Sequence, residues 1–480
     1  MNLAAFLAYH ALGRPRHPAI IDAGRTIAHG ELDDLVRRAA GWLRHRQGIG
    51  PGSLVGVRLA DSATHLVFLF ALARLGAIAL PLDWRWTRAE VARVTERFAP
   101  RLVLGEPDAD LLSDTLQVAP GRVWESAEPD PVPPHGDADT KLLISLSSGT
   151  TGVPRGPTIT HGEMLARFMT QWVSLTFNGT DRYLCATPLY FGAGRSFCLS
   201  HLVAGATVCL APPPAEPEVL LEAVARWQPT VMFLVPTMLR RLLPLATGGA
   251  PLLGSVRVLV SSGAAMHEDE RDAVLNRISP NLFDYYASSE GGGISVLAPS
   301  DQRAHAGSVG RPAFAVEVEV VDADDRRLPP GQVGRLRYRG PGVAADRGDG
   351  TRRADRWFQP GDLAAIDADG FVVLKGRATD VIIRGGVNIY PGEIEQVLLA
   401  HPGVREAAVV GQPSRARGEE IAAFVVAGQA VSESALHRHC QDRLAPYKRP
   451  RVIVFRTELP KSGLGKILKD RLAASLEPLP

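Results

Sequence analysis

Apolar segments that stop at proline or glycine corners constrain the fold of this chain more than any other feature. Residues 54–59 and 77–81 are typical of strands, and residues 64–76 between them are typical of a buried helix. Strand, helix and strand in this order predict a βαβ unit and a parallel sheet. Later strand-like segments end at the corners Pro188, Pro236 and Gly263. The loops that follow such strands meet at one edge of the sheet, where α/β proteins bind ligands.

The C-terminal part of the chain follows a different pattern. Residues 316–320 alternate apolar and polar side chains, and a Pro-Pro-Gly turn at 329–331 leads to residues 335–338, which predicts an antiparallel hairpin. From about residue 377 short strands and amphipathic helices begin again. A chain of 480 residues is too long for one core and, at ~150 residues per domain, predicts two to four folding units. Residues 124–138, rich in Pro, Asp and Glu, are predicted to form an exposed connector.

Charge, cysteine content and hydropathy restrict the partners and the compartment. A formal net charge of +2 does not predict binding to nucleic acid or to acidic membranes. The four cysteines lack the spacing of metal ligands, and three of them lie in apolar segments, which predicts buried thiols in a reducing cytoplasm. The N-terminal residues lack the pattern of a signal peptide, and no apolar run reaches ~18 residues, so no transmembrane helix is predicted.

A stretch rich in glycine and hydroxyl side chains follows the apolar residues 142–144. Its glycines let backbone N–H groups approach an anion, its hydroxyls add donors, and Arg155 adds a positive fork. The stretch has no Gly-Lys-Ser/Thr end, which excludes a Walker-type loop. The alternative is an ordinary surface turn. The predicted phosphate-binding residues are Ser147, Ser148, Gly149, Thr150, Thr151, Gly152 and Arg155.

Three further motifs carry reactive side chains. Considered alone, the first could equally be a surface turn, and a single lysine such as that of the third is ordinarily a solvated surface charge. In the first, Tyr286 could cover a purine, Ser289 could hold a phosphate and Glu290 could bind Mg²⁺. Asp362, which follows a glycine, could accept the two hydroxyls of a ribose. Lys466 lies between a glycine-rich turn and a helix start, from which it could reach a distant site.

Taken together, in this order and spacing, the motifs resemble the adenylate-forming superfamily of acyl- and aryl-CoA synthetases, luciferase-like enzymes and adenylation domains of nonribosomal synthetases. The resemblance covers nearly the whole chain and includes these segments: Pro188-Leu189-Tyr190-Phe191, Val235-Pro236-Thr237, Gly307-Ser308-Val309-Gly310-Arg311-Pro312 and Pro446-Tyr447-Lys448-Arg449-Pro450. It implies an α/β fold with a large N-terminal domain, residues 1–376, of parallel-rich αβαβα sheets and a distorted β-barrel-like part. A small mobile α+β domain, residues 377–480, would follow and carry the catalytic lysine.

The resemblance implies a two-step reaction that uses ATP, Mg²⁺ and coenzyme A. A carboxylate attacks the α-phosphate of Mg-ATP to give an acyl-adenylate and pyrophosphate, and a thiol then displaces AMP. Lys466 would serve the first step, after which the small domain would rotate about a hinge at Thr379 and Asp380. The loop at Gly385 and Gly386 would then line the thiol channel.

The resemblance also implies a role for each remaining site residue. Ser289 would contact the α-phosphate and Glu290 would bind Mg²⁺. Asp362 and Arg377 would hold the ribose. The adenine slot would be lined by Gly263, Ala264, Ala265, Tyr286 and Ala287. The acid pocket would lie near Phe191, Gly192, Arg195 and Gly291, where the glycines at 291–293 would leave room.

Several positions depart from the family pattern. Arg155 and Ala287 replace the usual lysine and glycine, Thr379 replaces the usual Asp or Lys at the hinge, and a charged loop at 344–356 replaces a Gly-Tyr segment. Arginine at 155 keeps the positive charge, so phosphate binding should survive. Arg195 is unexpected beside an apolar acyl pocket. It could pair with a second acidic or polar group on the substrate, but the preferred interpretation is an arginine that points to solvent at a helix end.

Three functions are compatible with these motifs. The leading hypothesis is an acid–CoA ligase for a small aromatic or a short to medium acyl acid. The near alternative is a stand-alone adenylation enzyme that delivers the acyl group to a carrier protein or another nucleophile. The third is a nucleotide-binding pseudoenzyme, against which Glu290, Asp362, Arg377 and Lys466 argue. The sequence does not identify the acid, the acceptor or the oligomeric state. A homodimer is one alternative for the oligomeric state.

Overall fold

The computed structural model describes residues 1–22, 24–105, 117–119, 121–146, 156–211, 216–264, 266, 268–346, 357–384, 387–414, 418–461 and 467–477. Within these ranges the chain forms twelve α-helices and 24 strands in four sheets. The helices are α1 Ala4–Gly13, α2 His29–Gln47, α3 Ala63–Leu75, α4 Arg88–Phe98, α5 His161–Ser174, α6 Gly192–Ala204, α7 Pro217–Trp227, α8 Pro236–Leu242, α9 Glu268–Arg277, α10 Pro391–Leu399, α11 Glu433–Gln441 and α12 Lys469–Ala473. Short 3-10 turns lie at Val123–Ser126, Leu243–Leu245, Ala378–Asp380 and Pro446–Lys448.

A six-stranded sheet contains the predicted βαβ unit. Its strands, in spatial order, are β6 Gln117–Val118, β5 Leu102–Leu104, β3 Leu54–Val57, β4 Ile78–Pro81, β7 Lys141–Ile144 and β8 Thr158–Thr160. β3 and β4 pair in parallel, with Leu54 opposite Ile78, and α3 connects them, which confirms the prediction. Twelve of the 13 residues of α3 are buried, so other elements cover this helix on all sides.

A nine-stranded sheet forms the second layer. Its strands, in spatial order, are β15 Arg311–Pro312, β14 Gly292–Leu297, β13 Leu282–Ser288, β12 Val258–Ser261, β11 Val231–Phe233, β9 Arg182–Cys185, β10 Thr207–Leu210, β1 Pro18–Asp22 and β2 Arg25–Ala28. The strands from β13 to β1 run parallel, and β14, β15 and β2 are antiparallel edges. The strands predicted before Pro188, Pro236 and Gly263 are confirmed as β9, β11 and β12. One hydrophobic core joins this sheet to the six-stranded sheet.

The segment predicted as a hairpin belongs to a four-stranded antiparallel sheet. Its strands, in spatial order, are β16 Glu317–Val321, β17 Gly334–Arg339, β18 Asp362–Ile366 and β19 Val372–Arg377. Val318 faces Tyr338 and Val320 faces Leu336 across the first pair, and all four are buried. The alternation read from the sequence therefore marks the buried face of this sheet.

The small C-terminal part has a sheet and core of its own. Its strands are β20 Ile382–Arg384, β21 Val387–Ile389, β22 Val404–Ser414, β23 Gly418–Ala427 and β24 Val452–Arg456, in the order β21-β20-β23-β22 with β24 paired to β23. Two hydrophobic clusters consist wholly of residues from Ile382 onward. Over the described ranges, none of these five strands pairs with a strand of the other three sheets. The chain thus has a large N-terminal and a small C-terminal domain.

The prediction of an exposed connector at residues 124–138 is wrong at two positions. Trp124 and Asp130 are buried. The Asp130 carboxylate lies 3.2 Å from Arg44 Nη2 and 3.7 Å from Arg74 Nε, so the acidic residue is paired inside the fold. The polar composition indicated a loop correctly but did not reveal that two arginines on helices would draw it inward. All four cysteines are buried free thiols. Over the residues that the structure describes, no helix combines the length and the apolar character needed to cross a membrane.

Candidate active site

The turn between β13 and β14 presents Ser289 and Glu290 at the carboxyl end of a parallel strand. β13 runs parallel to β12 and ends at Ser288. The Ser288 hydroxyl shares a short hydrogen bond with the Tyr338 hydroxyl and accepts one from the backbone N–H of Gly291 at 3.0 Å. These bonds fix the turn to the four-stranded sheet, so two sheets define its shape.

Arg167 of α5 holds the same turn from the opposite side, a role that the sequence did not reveal. Its Nη1 donates to the carbonyl of Ser289 at 3.2 Å, and its Nη2 donates to the carbonyl of Glu290 at 2.6 Å. Its Nε donates to the carbonyl of Gly342 at 2.8 Å. All three nitrogens of a buried guanidinium therefore bind backbone. Burial lowers the pKa of Arg167 from its usual value, although an arginine stays charged at neutral pH.

Glu163, one turn earlier on α5, anchors the segment that follows Gly342. Its Oε2 accepts from the backbone N–H of Thr160 at 3.0 Å and completes a capping box at the start of the helix. Its Oε1 accepts from the backbone N–H of Ala345 at 2.8 Å. The spacing Thr160-x-x-Glu163 can be recognised in the sequence as a helix start. The contact of Glu163 with residue 345, in contrast, depends on tertiary structure. α5 thus holds both the turn at Ser289 and Glu290 and the segment that follows Gly342.

The structure brings Tyr286, Asp362 and Arg377 together. Asp362 begins β18 and faces Arg377 at the end of β19, and Arg377 Nε lies 3.1 Å from Asp362 Oδ1. The Tyr286 hydroxyl donates a short hydrogen bond to Asp362 Oδ2. Burial, together with the neighbouring Asp362 charge, raises the pKa of Tyr286 well above its usual value. The phenol therefore stays protonated and remains a donor. Each carboxylate oxygen has two lone pairs, so Asp362 can accept further hydroxyl donors.

Gly263 lies at the same edge of the nine-stranded sheet. It follows β12, whose Ser261 faces Asp284 of β13. Its φ of 99° is strained for other residues, and no neighbouring atom comes closer than 4.0 Å to the position of a Cβ. Gly263 and Ala264 are exposed, whereas Ala287 is half-buried. This corner is therefore exposed at Gly263 and Ala264, and the role of these residues in binding adenine stays a prediction.

The expectation that the glycines at 291–293 leave room in an acid pocket is wrong. A Cβ on Gly291 would lie 2.4 Å from the Tyr338 ring, and one on Gly293 would lie 2.3 Å from the Tyr285 hydroxyl. A Cβ on Gly292 would lie 2.9 Å from Arg167 Cγ. Each glycine is required because a large side chain packs directly against the backbone, not because a ligand needs the space.

The expectation that Arg195 points to solvent is also wrong. It lies in the first turn of α6 and is 3% exposed. Its Nη1 donates to the carbonyls of Leu189 at 3.2 Å and Tyr190 at 2.7 Å. Phe191 is half-buried and Gly192 is exposed, so the start of α6 borders open space. The sequence showed a charge near a helix end but not that the preceding loop folds back over it.

Thr379 and Asp380, the predicted hinge, form part of the 3-10 turn Ala378–Asp380 that follows β19. Thr379 Oγ1 donates to Asp380 Oδ1 at 3.1 Å. Other predicted site residues lie outside the described residues: Ser147, Ser148, Gly149, Thr150, Thr151, Gly152, Arg155, Ala265, Gly385, Gly386 and Lys466. Gly156, directly after the predicted phosphate loop, is described, and a Cβ there would lie 2.2 Å from the Ser145 carbonyl oxygen.

Glu290 is the residue that could hold a magnesium ion. In the described part of the chain its carboxylate forms no ion pair or hydrogen bond, and an oxygen ligand suits Mg²⁺. No cluster of three or more acidic, histidine or cysteine side chains with metal-site geometry occurs in the described ranges. A single carboxylate fits an ion that arrives with substrate phosphates, because Mg²⁺ usually keeps several waters and few protein ligands.

Models of known protein families match two parts of the chain. The AMP-binding enzyme model matches residues 7–346, and the AMP-binding enzyme C-terminal domain model matches residues 393–466. The feruloyl-CoA synthase of an Amycolatopsis species is 31% identical over 95% of this chain and 96% of that protein. The indoleacetate–CoA ligase of Aromatoleum aromaticum is 32% identical over 98% and 97%. The fatty acid–[acyl-carrier-protein] ligase ScoC of Streptomyces coeruleorubidus is 30% identical over 98% and 96%.

Solved structures of similar proteins agree with the fold over nearly its whole length. ATP-bound MatB from Rhodopseudomonas palustris superposes with a TM-score of 0.89 at 28% identity and covers 99% of this chain and 98% of that one. MenE from Bacillus subtilis, in complex with the acyl-adenylate intermediate OSB-AMP, superposes with a TM-score of 0.88 at 26% identity and covers 97% of both chains.

Proposed function

Because this chain belongs to the AMP-binding enzyme family, we propose that it activates a carboxylic acid with ATP and then transfers the acyl group to coenzyme A. In the first step a carboxylate oxygen bonds to the α-phosphorus, the bond to the β-phosphate oxygen breaks, and pyrophosphate leaves. In the second step a thiolate bonds to the acyl carbon and AMP leaves. The meeting of Tyr286, Asp362 and Arg377 at the open edge beside Ser289 and Glu290 carries the proposal.

The contacts of Asp362 support its role at the ribose, and the position of the turn supports the roles of Ser289 and Glu290. Asp362 accepts the ribose hydroxyls while Arg377 and Tyr286 orient its carboxylate. Ser289 contacts the α-phosphate, and Glu290 holds Mg²⁺, which neutralises phosphate charge when bound. Phosphoryl transfer depends mainly on positioning and charge neutralisation. A turn held by Arg167 and Tyr338 suits this task, because its groups need little rearrangement during the reaction.

The residues outside the described ranges complete the proposal. The phosphate loop, from Ser147 to Arg155, holds the β- and γ-phosphates. Lys466 bridges the attacking carboxylate and the α-phosphate. We also propose that residues 1–376 and 377–480 move as two bodies about Thr379 and Asp380, so that Gly385 and Gly386 reach the thiol channel in the second step. The separate sheet and cores of the C-terminal part support this division.

A small aromatic acid, or a short to medium acyl acid, is the proposed substrate, and the cytoplasm is the proposed compartment. The names of two relatives, feruloyl-CoA synthase and indoleacetate–CoA ligase, favour an aromatic acid. Four buried free thiols suit a reducing compartment.

Delivery to a carrier protein is the second candidate. The relative ScoC, named as a fatty acid–[acyl-carrier-protein] ligase, is 30% identical over 98% of this chain. Coenzyme A and a carrier protein both offer a thiol, so the first step would be the same and the acceptor would differ. A thioester on a carrier with a phosphopantetheine arm, and none on coenzyme A, would favour this candidate.

Exchange of labelled pyrophosphate into ATP, measured with a panel of carboxylic acids, tests the first step. We expect acid-dependent exchange that falls about 100-fold or more in K466A, in line with the loss of a transition-state donor. K461A is the matched control, since Lys461 pairs with Glu406 at 2.7 Å, and it should keep the wild-type rate.

Two outcomes would contradict parts of the proposal. Wild-type protein that gives no exchange with any acid would overturn the adenylation step and favour a nucleotide-binding pseudoenzyme. Exchange without a coenzyme A thioester would overturn the second step and leave the first intact.

A further inference from the structure

The buried guanidinium of Arg195 uses only part of its hydrogen-bonding capacity. Its Nη1 donates to the carbonyls of Leu189 and Tyr190. Within the described ranges no carboxylate pairs with Arg195, and its Nε and Nη2 have no acceptor. Arginine has five N–H donors. Those on Nε and Nη2 are therefore available to another partner.

The surroundings of Arg195 leave its charge uncompensated. Burial and the like charge of Arg167 lower the pKa of Arg195 to about 10, so it stays protonated at neutral pH. Burial lowers the pKa of the neighbouring His65 to about 4, so that ring is neutral. The first turn of α6 adds the positive end of a helix dipole. The like charge of Arg167 and the helix dipole therefore favour an anion at the open edge of the guanidinium.

That open edge is accessible although the residue is buried. The Nε atoms of Arg74 and Arg271 are sealed from solvent without a hydrogen-bond partner, whereas the unpartnered nitrogens of Arg195 keep some accessible surface. A cation left open in this way differs from one enclosed for packing, because its free donors are not sealed on all sides by protein.

The loop that orients Arg195 is itself held firmly. The backbone N–H of Leu189 donates to the Asp61 carboxylate at 2.5 Å, and the Tyr190 ring lies 6.1 Å from the Trp86 ring. Burial raises the pKa of Asp61, so its environment is largely apolar. Both carbonyls that bind Arg195 are thus fixed to the six-stranded sheet. A fixed guanidinium binds a ligand with little loss of side-chain freedom.

We propose that Arg195 binds a second oxyanion on the acid substrate, separate from the carboxylate that attacks ATP. The inference rests on the proposed function, since it takes the start of α6 as one wall of the acid pocket. A planar fork matches a carboxylate or a similar oxyanion, which it can bind in bidentate fashion. The substrate class is therefore small acids with a carboxylate or an equivalent oxyanion at the far end.

Matched pairs of acids test this inference through pyrophosphate exchange. One pair is isophthalate and 3-methylbenzoate, and the other is glutarate and pentanoate. The members of each pair share a skeleton and differ in one anionic group. We expect the wild-type kcat/KM to be about tenfold or more higher for the dianion in at least one pair, as a charge-assisted hydrogen bond provides.

Substitutions at position 195 assign that preference to the arginine. R195Q should bring the two members of the preferred pair to within about twofold, and R195K should retain part of the preference. The KM for ATP should stay at the wild-type value in R195K. R74K is the matched control, because Arg74 is a buried arginine that binds backbone carbonyls elsewhere, and it should keep the full preference.

The outcomes separate this inference from the proposed function. No exchange with any acid would remove the proposed function itself. Exchange with equal or lower rates for both dianions, or an unchanged preference in R195Q, would overturn the role of Arg195 and leave acid activation standing. Should R195Q fail to fold, the wild-type preference and the R195K result decide the question.

Discussion

Two buried arginines hold backbone carbonyls on either side of the candidate site, and they differ in what they leave free. Arg167 donates from all three nitrogens, to Gly342, Ser289 and Glu290. Among the residues that the structure describes, Arg195 donates from Nη1 alone. A guanidinium whose nitrogens all bind backbone can position a loop but has little left for a ligand. One with an open edge can do both, so burial alone does not distinguish a structural arginine from a binding one.

Replacing Arg167 should give the largest effect. In R167K a single ammonium cannot serve three carbonyls, and each buried carbonyl left without a donor costs roughly 1–3 kcal/mol. We expect the free energy of unfolding in urea to fall by about 2–5 kcal/mol. The kcat of exchange should fall about tenfold or more, with a smaller change in KM for the acid, because the Ser289–Glu290 turn shifts.

R74K is the control for this prediction as well. It should lower stability, since Arg74 is buried and paired with Asp130, but leave kcat unchanged. If R167K lost stability and kept the wild-type kcat, Arg167 would stabilise the fold without influencing the reacting groups.

Arg377 is a half-exposed arginine that pairs with the Asp362 carboxylate. Replacing that carboxylate extends the comparison to this third arginine. In D362N the Asp362 side chain loses its charge and part of its capacity to accept hydroxyls, so we expect the KM for ATP to rise about tenfold in exchange assays. D367N is the matched control, because Asp367 accepts the backbone N–H groups of Asp369 and Phe371 in a turn. It should lower the melting temperature but not change the KM for ATP. Equal KM values in the two variants would contradict the ribose role.

The free energy of unfolding should depend on pH through the protonation of His65, the neutral neighbour of Arg195. Burial lowers the pKa of folded His65 to about 4 from its usual value of 6.5. The unfolded chain therefore binds a proton that the folded chain excludes, and stability is complete above pH 6.5 and is lost as pH falls toward 4. We expect this residue to contribute about 3 kcal/mol across that range.

H65Q should make the pH profile of the free energy of unfolding less steep between these limits but not flat, because burial also lowers the pKa values of His29, His161 and His201 to about 4. H45Q, at an exposed position on α2, is the control and should leave the profile unchanged. A profile that H65Q does not alter would show that the ring is not held neutral, and the charge argument around Arg195 would lose one support.

The smallest expected effect concerns Glu163, which assists Arg167 in holding the segment after Gly342. In E163Q one oxygen remains, so either the Thr160 or the Ala345 backbone N–H loses its acceptor. We expect a loss of about 1 kcal/mol, seen as a melting temperature lowered by a few degrees. The kcat of exchange should change less than in R167K. If E163Q lowered kcat more than R167K does, Glu163 would be the main holding residue and Arg167 the assisting one.

The elements could be predicted from sequence where one physical pattern dominated. The βαβ unit at 54–81 and the hairpin at 316–338 follow from apolar runs, alternation and turn residues, which depend on neighbours along the chain. Ser289, Glu290, Asp362 and Arg377 were predicted as site residues from their motifs and from the family resemblance, and their roles stay predictions. Arg167 was missed because a single arginine on an amphipathic helix carries no local signal for the carbonyls that it binds more than 120 residues away.

By itself the sequence determined the order of strands and helices, the glycine and proline corners and the inventory of reactive side chains. These depend on backbone geometry and local hydrophobic pattern. Only the tertiary structure decided that the glycines at 291–293 admit Tyr338, Arg167 and Tyr285 instead of a substrate. Only the tertiary structure buried Arg195 with part of its guanidinium open. Both outcomes depend on which surfaces of distant segments pack together, and that choice is made by the whole core.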